Sequence, residues 1–159
     1  MARLPITSGA HNEILRTISS PVKTVDKKLL KLINDMRETM DLEDGIGIAA
    51  SQVGVNLRLA LVKLNPGTKN ENIVTMINPE IITHAVKKEL AEEGCLSLRR
   101  KWGSVPRWVS LTVQFYNKKM EKVTLALTDL NARIVQHEVD HLDAKLFIDR
   151  VEGEVREED

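Results

Sequence analysis

His137 and His141 stand four residues apart in the run Gln136-His137-Glu138-Val139-Asp140-His141. The pattern is H-E-x-x-H. On a helix, this spacing puts both imidazoles on one face, about one turn apart. Two neutral imidazoles so placed supply two ligands of a tetrahedral metal site. Glu138 sits beside the first ligand but points elsewhere, so it is free to act as a base on a metal-bound water. The competing reading is a solvated helix with two surface histidines. The chain has only four histidines, His11, His84, His137 and His141. Chance produces H-E-x-x-H in such a chain on the order of one time in a hundred.

A catalytic metal site takes three protein ligands and keeps one position open. One known extension of the pattern puts glycine at 144 and a third histidine at 147; this chain has Ala144 and Phe147. Residues 142–159 are short of apolar positions, which argues against a carboxylate ligand from a later helix. Cys95 is the best remaining candidate. It follows Gly94, which permits close backbone approach, and lies between strand-like segments. A lone cysteine also fits a small buried hydrophobe. A thiolate with two imidazoles suits a borderline metal such as iron(II), zinc, nickel or cobalt.

The elements that must position these groups follow from periodicity. Leu29, Ile33, Met36 and Met40 recur at three- and four-residue steps among charged residues, predicting an amphipathic helix over 26–41, capped by Thr24 or Asp26. Gly45-Ile46-Gly47 opens a run of small residues that reaches Gly54 and contains the amide of Gln52. Glycines two apart let a backbone pass close to a chain or ligand; from spacing alone a plain loop is slightly favoured. No G-x-G-x-x-G is present, so this is no nucleotide fingerprint. Leu57, Leu59 and Leu61 alternate, Asn65-Pro66-Gly67 turns, and 73–77 reads as a returning strand that ends before Pro79. A further strand is expected over 86–92, and 109–116 with 123–127 reads as a hairpin. Thr128 or Asp129 caps the histidine helix, which runs to about Leu142. Residues 1–24 are irregular. The order helix, strands, helix predicts an α+β fold: antiparallel sheets around a central helix carrying HExxH, with an N-terminal amphipathic helix.

Lys+Arg and Asp+Glu both number 23, so no electrostatic footprint for nucleic acid or an anionic membrane follows. No apolar run is long enough to span a membrane, and no signal-peptide pattern opens the chain. A single cysteine fits a cytosolic home. At 159 residues one domain is expected over 1–150, followed by a short acidic tail over 151–159 that frays.

Three stretches together resemble the signatures of peptide deformylases. They are Gly45-Ile46-Gly47-Ile48-Ala49-Ala50-Ser51-Gln52, Glu93-Gly94-Cys95-Leu96-Ser97 and Gln136-His137-Glu138-Val139-Asp140-His141. They occur in the family's order and at similar separations, and the likeness runs from Ile14-Leu15-Arg16 to Phe147-Ile148-Asp149. The resemblance implies a metal-dependent, cytoplasmic hydrolase that removes the formyl group from the N-terminal formylmethionine of new polypeptides. It implies Cys95, His137 and His141 as ligands of Fe2+, with Ni2+, Co2+ or Zn2+ able to substitute. It implies Glu138 as general base and acid, and the Gln52 amide and Leu96 backbone N–H as donors to the formyl oxygen. The methionine pocket is then walled by Ile46, Leu130, Ile134 and the edge of His137, with the stem of Arg133 at its rim. The nascent peptide lies along Gly45–Gly47 and the strand near Glu93 and Gly94 as an added β-strand.

The chain departs from the family in places. Leu98-Arg99-Arg100-Lys101-Trp102 replaces an aliphatic residue and proline; a solvated loop is expected, and a functional role would alter the groove rim. Arg107, in Val105-Pro106-Arg107, is expected to neutralise Glu93 or Asp140. Ser51 stands where proline or threonine is common. Without a long C-terminal helix, at most weak ribosome contact is expected. Two other readings compete: a zinc metallopeptidase of another kind, and a metal-bound but inactive peptide-binding module. The second is weakened because Gln52, Cys95, His137, Glu138 and His141 are all present.

Overall fold

The computed structural model describes residues 2–158. Among these residues the chain forms two helices and eight strands. The first helix, α1, spans Lys27–Leu42 and buries Leu29, Ile33, Met36 and Met40. Asp26 is its cap: the carboxylate accepts the Leu29 N–H at 2.8 Å, satisfying one of the free donors of the first turn. On its buried face Thr39 Oγ1 donates to the Asp35 carbonyl at 2.7 Å and accepts the Leu4 N–H at 2.8 Å. That ties the N-terminal segment to the helix.

The strands are β1 (Gly47–Ala49), β2 (Leu59–Leu64), β3 (Asn72–His84), β4 (Lys88–Cys95), β5 (Leu98–Trp108), β6 (Ser110–Tyr116), β7 (Lys122–Thr128) and β8 (Glu152–Glu157). They form two antiparallel sheets, ordered β1-β2-β3-β6-β7 and β4-β5-β8. The second helix, α2, spans Asp129–Leu142 between β7 and β8 in the chain and packs against β1 and β2 of one sheet and β5 of the other. Its inner face is fully buried at Ala132 and Val135. The α+β architecture with a central histidine helix is as expected.

Four local expectations change. The 45–54 stretch is not a plain loop. Gly47–Ala49 pairs with β2, Gly47 opposite Val62, and Ala50–Val53 forms a 3-10 turn. β3 does not stop before Pro79. Proline has no N–H for the ladder, and the chain bulges there: register shifts between Ile77 and Glu80, and Asn78 takes φ 51°. The Asn78 side chain makes good the break by bonding both the N–H and the carbonyl of Val22. The 98–102 run is not a solvated loop but the start of β5, with Leu98 opposite Cys95. The acidic tail does not fray over 152–157. It is β8, which pairs with β5 through Lys101–Glu157 and Trp102–Arg156, and Arg156 makes an ion pair with Glu92. Charged side chains are what an exposed edge strand carries, since they discourage further pairing; that composition had read as a frayed end.

Candidate metal centre

α2 presents His137 and His141 on one side, as their spacing requires. Cys95 comes from the end of β4, and its Sγ lies 3.4 Å from His141 Nε2. The ligand atoms of Cys95, His137 and His141 all lie within 4.8 Å of one another, and the two imidazoles are 5.1 Å apart at 63°. Cys95, the third donor expected from the sequence, therefore converges with the two histidines. His137 Nδ1 is 2.9 Å from Glu93 Oε1, which fixes the ring and leaves its other nitrogen for a metal.

Burial works against a charge on His137, but its bonds to Cys95 and Glu93 outweigh burial and raise its pKa well above the usual value. Burial and the neighbouring His137 charge push His141 well below it. Among the described residues, two of the buried side-chain atoms without a hydrogen-bond partner belong to this site, Glu138 Oε1 and His141 Nδ1. An unpartnered carboxylate oxygen beside a sulfur–nitrogen–nitrogen donor set suits a cation and a water bound to it. The residues present thus fit a divalent metal.

Glu138 is 4% exposed. Burial raises its carboxyl to about 7, with Glu93 and Asp140 adding and His137 and Arg107 opposing. A base tuned near neutrality suits proton transfer at ordinary pH. Its position depends on Gly47: a Cβ there would sit 2.4 Å from Glu138 Oε2. Gln52 is buried, and its amide is oriented by the Ala49 N–H bonding Oε1 at 2.9 Å. Nε2 is thereby turned toward Cys95 Sγ at 3.5 Å and Ser97 Oγ at 3.2 Å. Leu96 follows Cys95, and its side chain lies against Gly45, where an added Cβ would meet Cδ1 at 3.0 Å.

Behind the histidines lies a buried ionic chain. Arg107, 3% exposed, grips both oxygens of Glu93 at 2.9 Å and reaches Asp140 at 2.6 Å. It neutralises both carboxylates rather than one. Asp140 is held in turn by Arg150. Burial alone would raise the Glu93 carboxyl, but the Arg107 and His137 bonds win and hold it far below the carboxylate range. Glu93 therefore faces the ionic chain with its carboxylate while its strand borders the cleft. Arg133 Nη1 binds Glu93 Oε2 at 2.7 Å and the Val105 carbonyl at 2.9 Å, so its head is anchored and its stem is left along the cleft.

The metal cluster opens into a cleft of about 740 Å³ lined by Gly45, Ile46 and Gly47 on one side and Gly94, Leu130 and Ile134 on others. Ile134 is 3% exposed and also belongs to the core, whereas Ile46 and Leu130 are 42% and 47% exposed. Ile46 and Leu130 thus offer apolar surface to whatever enters the cleft. Every site residue expected from the sequence lies at this cleft or cluster. Ser97, Asp140 and Arg150 were not singled out as site residues; Ser97 and Asp140 lie inside the signature stretches, but their partners are remote in sequence.

A helix-borne H-E-x-x-H with its glutamate buried, a cysteine from a strand end and an open cleft define a metal-dependent hydrolase. The sequence profile of the polypeptide deformylases matches residues 4–157, and the chain belongs to that family. A peptide deformylase of Pseudothermotoga lettingae is 44% identical over 138 residues, covering 87% of this chain and 77% of that protein. The structure of a Thermotoga maritima peptide deformylase aligns with TM-score 0.89 at 36% identity, covering 96% of this chain and all of that one. A Met-Ala-Ser-bound class I type b peptide deformylase from Acinetobacter baumannii aligns with TM-score 0.87 at 36% identity, covering 94% and 99%.

Proposed function

We propose that this chain hydrolyses the formamide of N-formylmethionyl peptides and nascent chains, and that its native metal is iron(II), with nickel, cobalt or zinc able to substitute. The observation that carries the proposal is the convergence of Cys95, His137 and His141 within 4.8 Å, with the buried Glu138 alongside. Cys95, His137 and His141 would hold a divalent ion, which would supply Lewis acidity and lower the pKa of a bound water. Glu138 takes the proton from the attacking water and delivers it to the departing amine. The Gln52 amide and the Leu96 N–H stabilise the formyl oxygen as it gains negative charge; losing one such donor typically costs about 3–4 kcal/mol of barrier.

Ile46, Leu130, Ile134 and the edge of His137 take the methionine side chain, an unbranched thioether that fits an irregular apolar slot. Norleucine has nearly the same shape and is tolerated. Aspartate is rejected because its charge would be desolvated. The peptide backbone lies along Gly45–Gly47 and the Glu93–Gly94 strand. A substrate of this kind is met where formylated chains are being made, which fits a cytoplasmic enzyme. No helix among the described residues is long and apolar enough to cross a membrane.

The test is kcat/KM on formyl-, acetyl- and unmodified Met-Ala-Ser, with protein loaded anaerobically with iron(II) and then with zinc. Formyl-Met-Ala-Ser is expected to be the substrate, and the acetyl peptide to be turned over far more slowly because its methyl meets Gln52, Leu96 and Gly47. Equal rates on acetyl and formyl peptides would remove this reading. Cys95→Ser should lower metal retention, read directly as the metal-to-protein ratio.

A further inference from the structure

The cleft rim beside Cys95 carries groups that deformylation does not use. Most charges there are compensated. Glu43, the C-cap of α1, binds Arg99 at 2.8 Å and also Arg3. Glu92 pairs with Arg156, and Glu93 holds Arg107 and Arg133. Arg100 and Lys101 also line the cleft, and neither makes an ion pair within 4.0 Å among the described residues. Glu157 faces Lys101 across the strands without coming within that distance. Arg100 holds a left-handed backbone, φ 66°, kept in place by the Glu158 N–H on its carbonyl at 2.7 Å. That conformation is uncommon for a residue with a side chain.

Trp102 completes the rim. Its six-membered ring lies on Gly94: a Cβ there would meet Cζ3 at 2.6 Å and Cε3 at 2.8 Å. The indole is 36% exposed and covers the backbone one residue from the candidate ligand Cys95. An apolar plate thus stands at the edge of the cleft with two cations that make no ion pair among the described residues. Successive Cα atoms are about 3.8 Å apart, so a peptide with its formyl group at Cys95, His137 and His141 and its backbone along Gly94, as proposed above, would bring its second and third residues to this rim.

We propose that Arg100, Lys101 and Trp102 form a subsite for a glutamate side chain at the second or third residue of the peptide. Its methylenes lie on the indole and its carboxylate meets the two cations. The subsite rests on the deformylase reading.

The test is kcat/KM for formyl-Met-Glu-Ser and formyl-Met-Ser-Glu against their Gln, Asp and Lys counterparts, at low and high salt, with formyl-Met-Ala-Ser alongside. At one of the two positions Glu should exceed Lys about fivefold at low salt, and the ratio should shrink with salt. Lys101→Glu should invert the ratio, Arg100→Asn should narrow it, and Trp102→Ala should erase the advantage of Glu over Asp. Equal values for Glu and Lys at both positions, or a ratio unmoved by Lys101→Glu, would overturn the subsite while turnover of formyl-Met-Ala-Ser leaves deformylation standing. No turnover of formyl-Met-Ala-Ser by the metal-loaded protein would overturn the deformylase reading, and the subsite with it.

Discussion

Gly47 must be glycine because of a side chain ninety residues away in the chain. A Cβ at 47 would stand 2.4 Å from Glu138 Oε2, 2.9 Å from its carboxyl carbon and 3.1 Å from Cγ. All three distances are shorter than ordinary contact, so Gly47→Ala must move the carboxylate. We predict that this variant keeps its metal and its fold but loses about a hundredfold in kcat, within the usual worth of proton transfer. Metal content and kcat measured on the same sample decide it, and unchanged kcat would show that Glu138 has room to spare. The glycine spacing signalled that something comes close, but not what. Likewise Cys95 could be singled out only by elimination and by resemblance, whereas His137 and His141 declare themselves through helical spacing. The Glu93–Arg107–Asp140 contacts were half legible: Arg107 was matched to either carboxylate, and only three-dimensional placement shows it holding both.

The elements divide by the range of the forces that form them. α1 and α2 carry their own apolar period, and α1 its own cap, so both were legible within a residue or two. Asp26→Ala removes the bond to the Leu29 N–H and should cost about 1 kcal/mol, seen as a lower urea midpoint with unchanged slope. The strands fared worse where pairing overrules composition. Pro79 signalled an end, yet β3 continues because the ladder skips the residue lacking a donor and Asn78 reconnects the chain. The basic run at 98–102 and the acidic run at 152–157 each look solvated alone. They pair with each other, a match of partners about fifty residues apart that no local window contains.

The whole molecule is closed by contacts between its first and last segments. Arg16 binds Asp149 at 2.6 and 3.1 Å, joining the irregular opening to the turn after α2. Burial tends to raise the Asp149 carboxyl, but Arg16 and the Leu146 N–H outweigh it and hold its pKa below the usual value. A depressed carboxyl stabilises the fold above the unfolded pKa, about 3.9. That contribution is lost as pH falls through the lower folded value. Because the pair is a third exposed, its worth is below about 1 kcal/mol. Asp149→Asn should therefore lower stability slightly at pH 7, and the difference should shrink as the pH is lowered below the unfolded pKa, which urea unfolding across that range measures. Composition had announced a balanced charge; the arrangement of those charges into a clasp here, and into the chain from Glu93 to Arg150, is a property of the folded molecule.

The central claim is that the cleft at Cys95, His137 and His141 hydrolyses formyl peptides through Glu138. The most direct test is formate release from formyl-Met-Ala-Ser by wild type and Glu138→Gln at equal metal content. The glutamine keeps the size and packing of the side chain but cannot take the proton. The account predicts one metal per chain in both proteins and a loss of at least about 10² in kcat for the variant. A fully loaded Glu138→Gln protein releasing formate at the wild-type rate would contradict it.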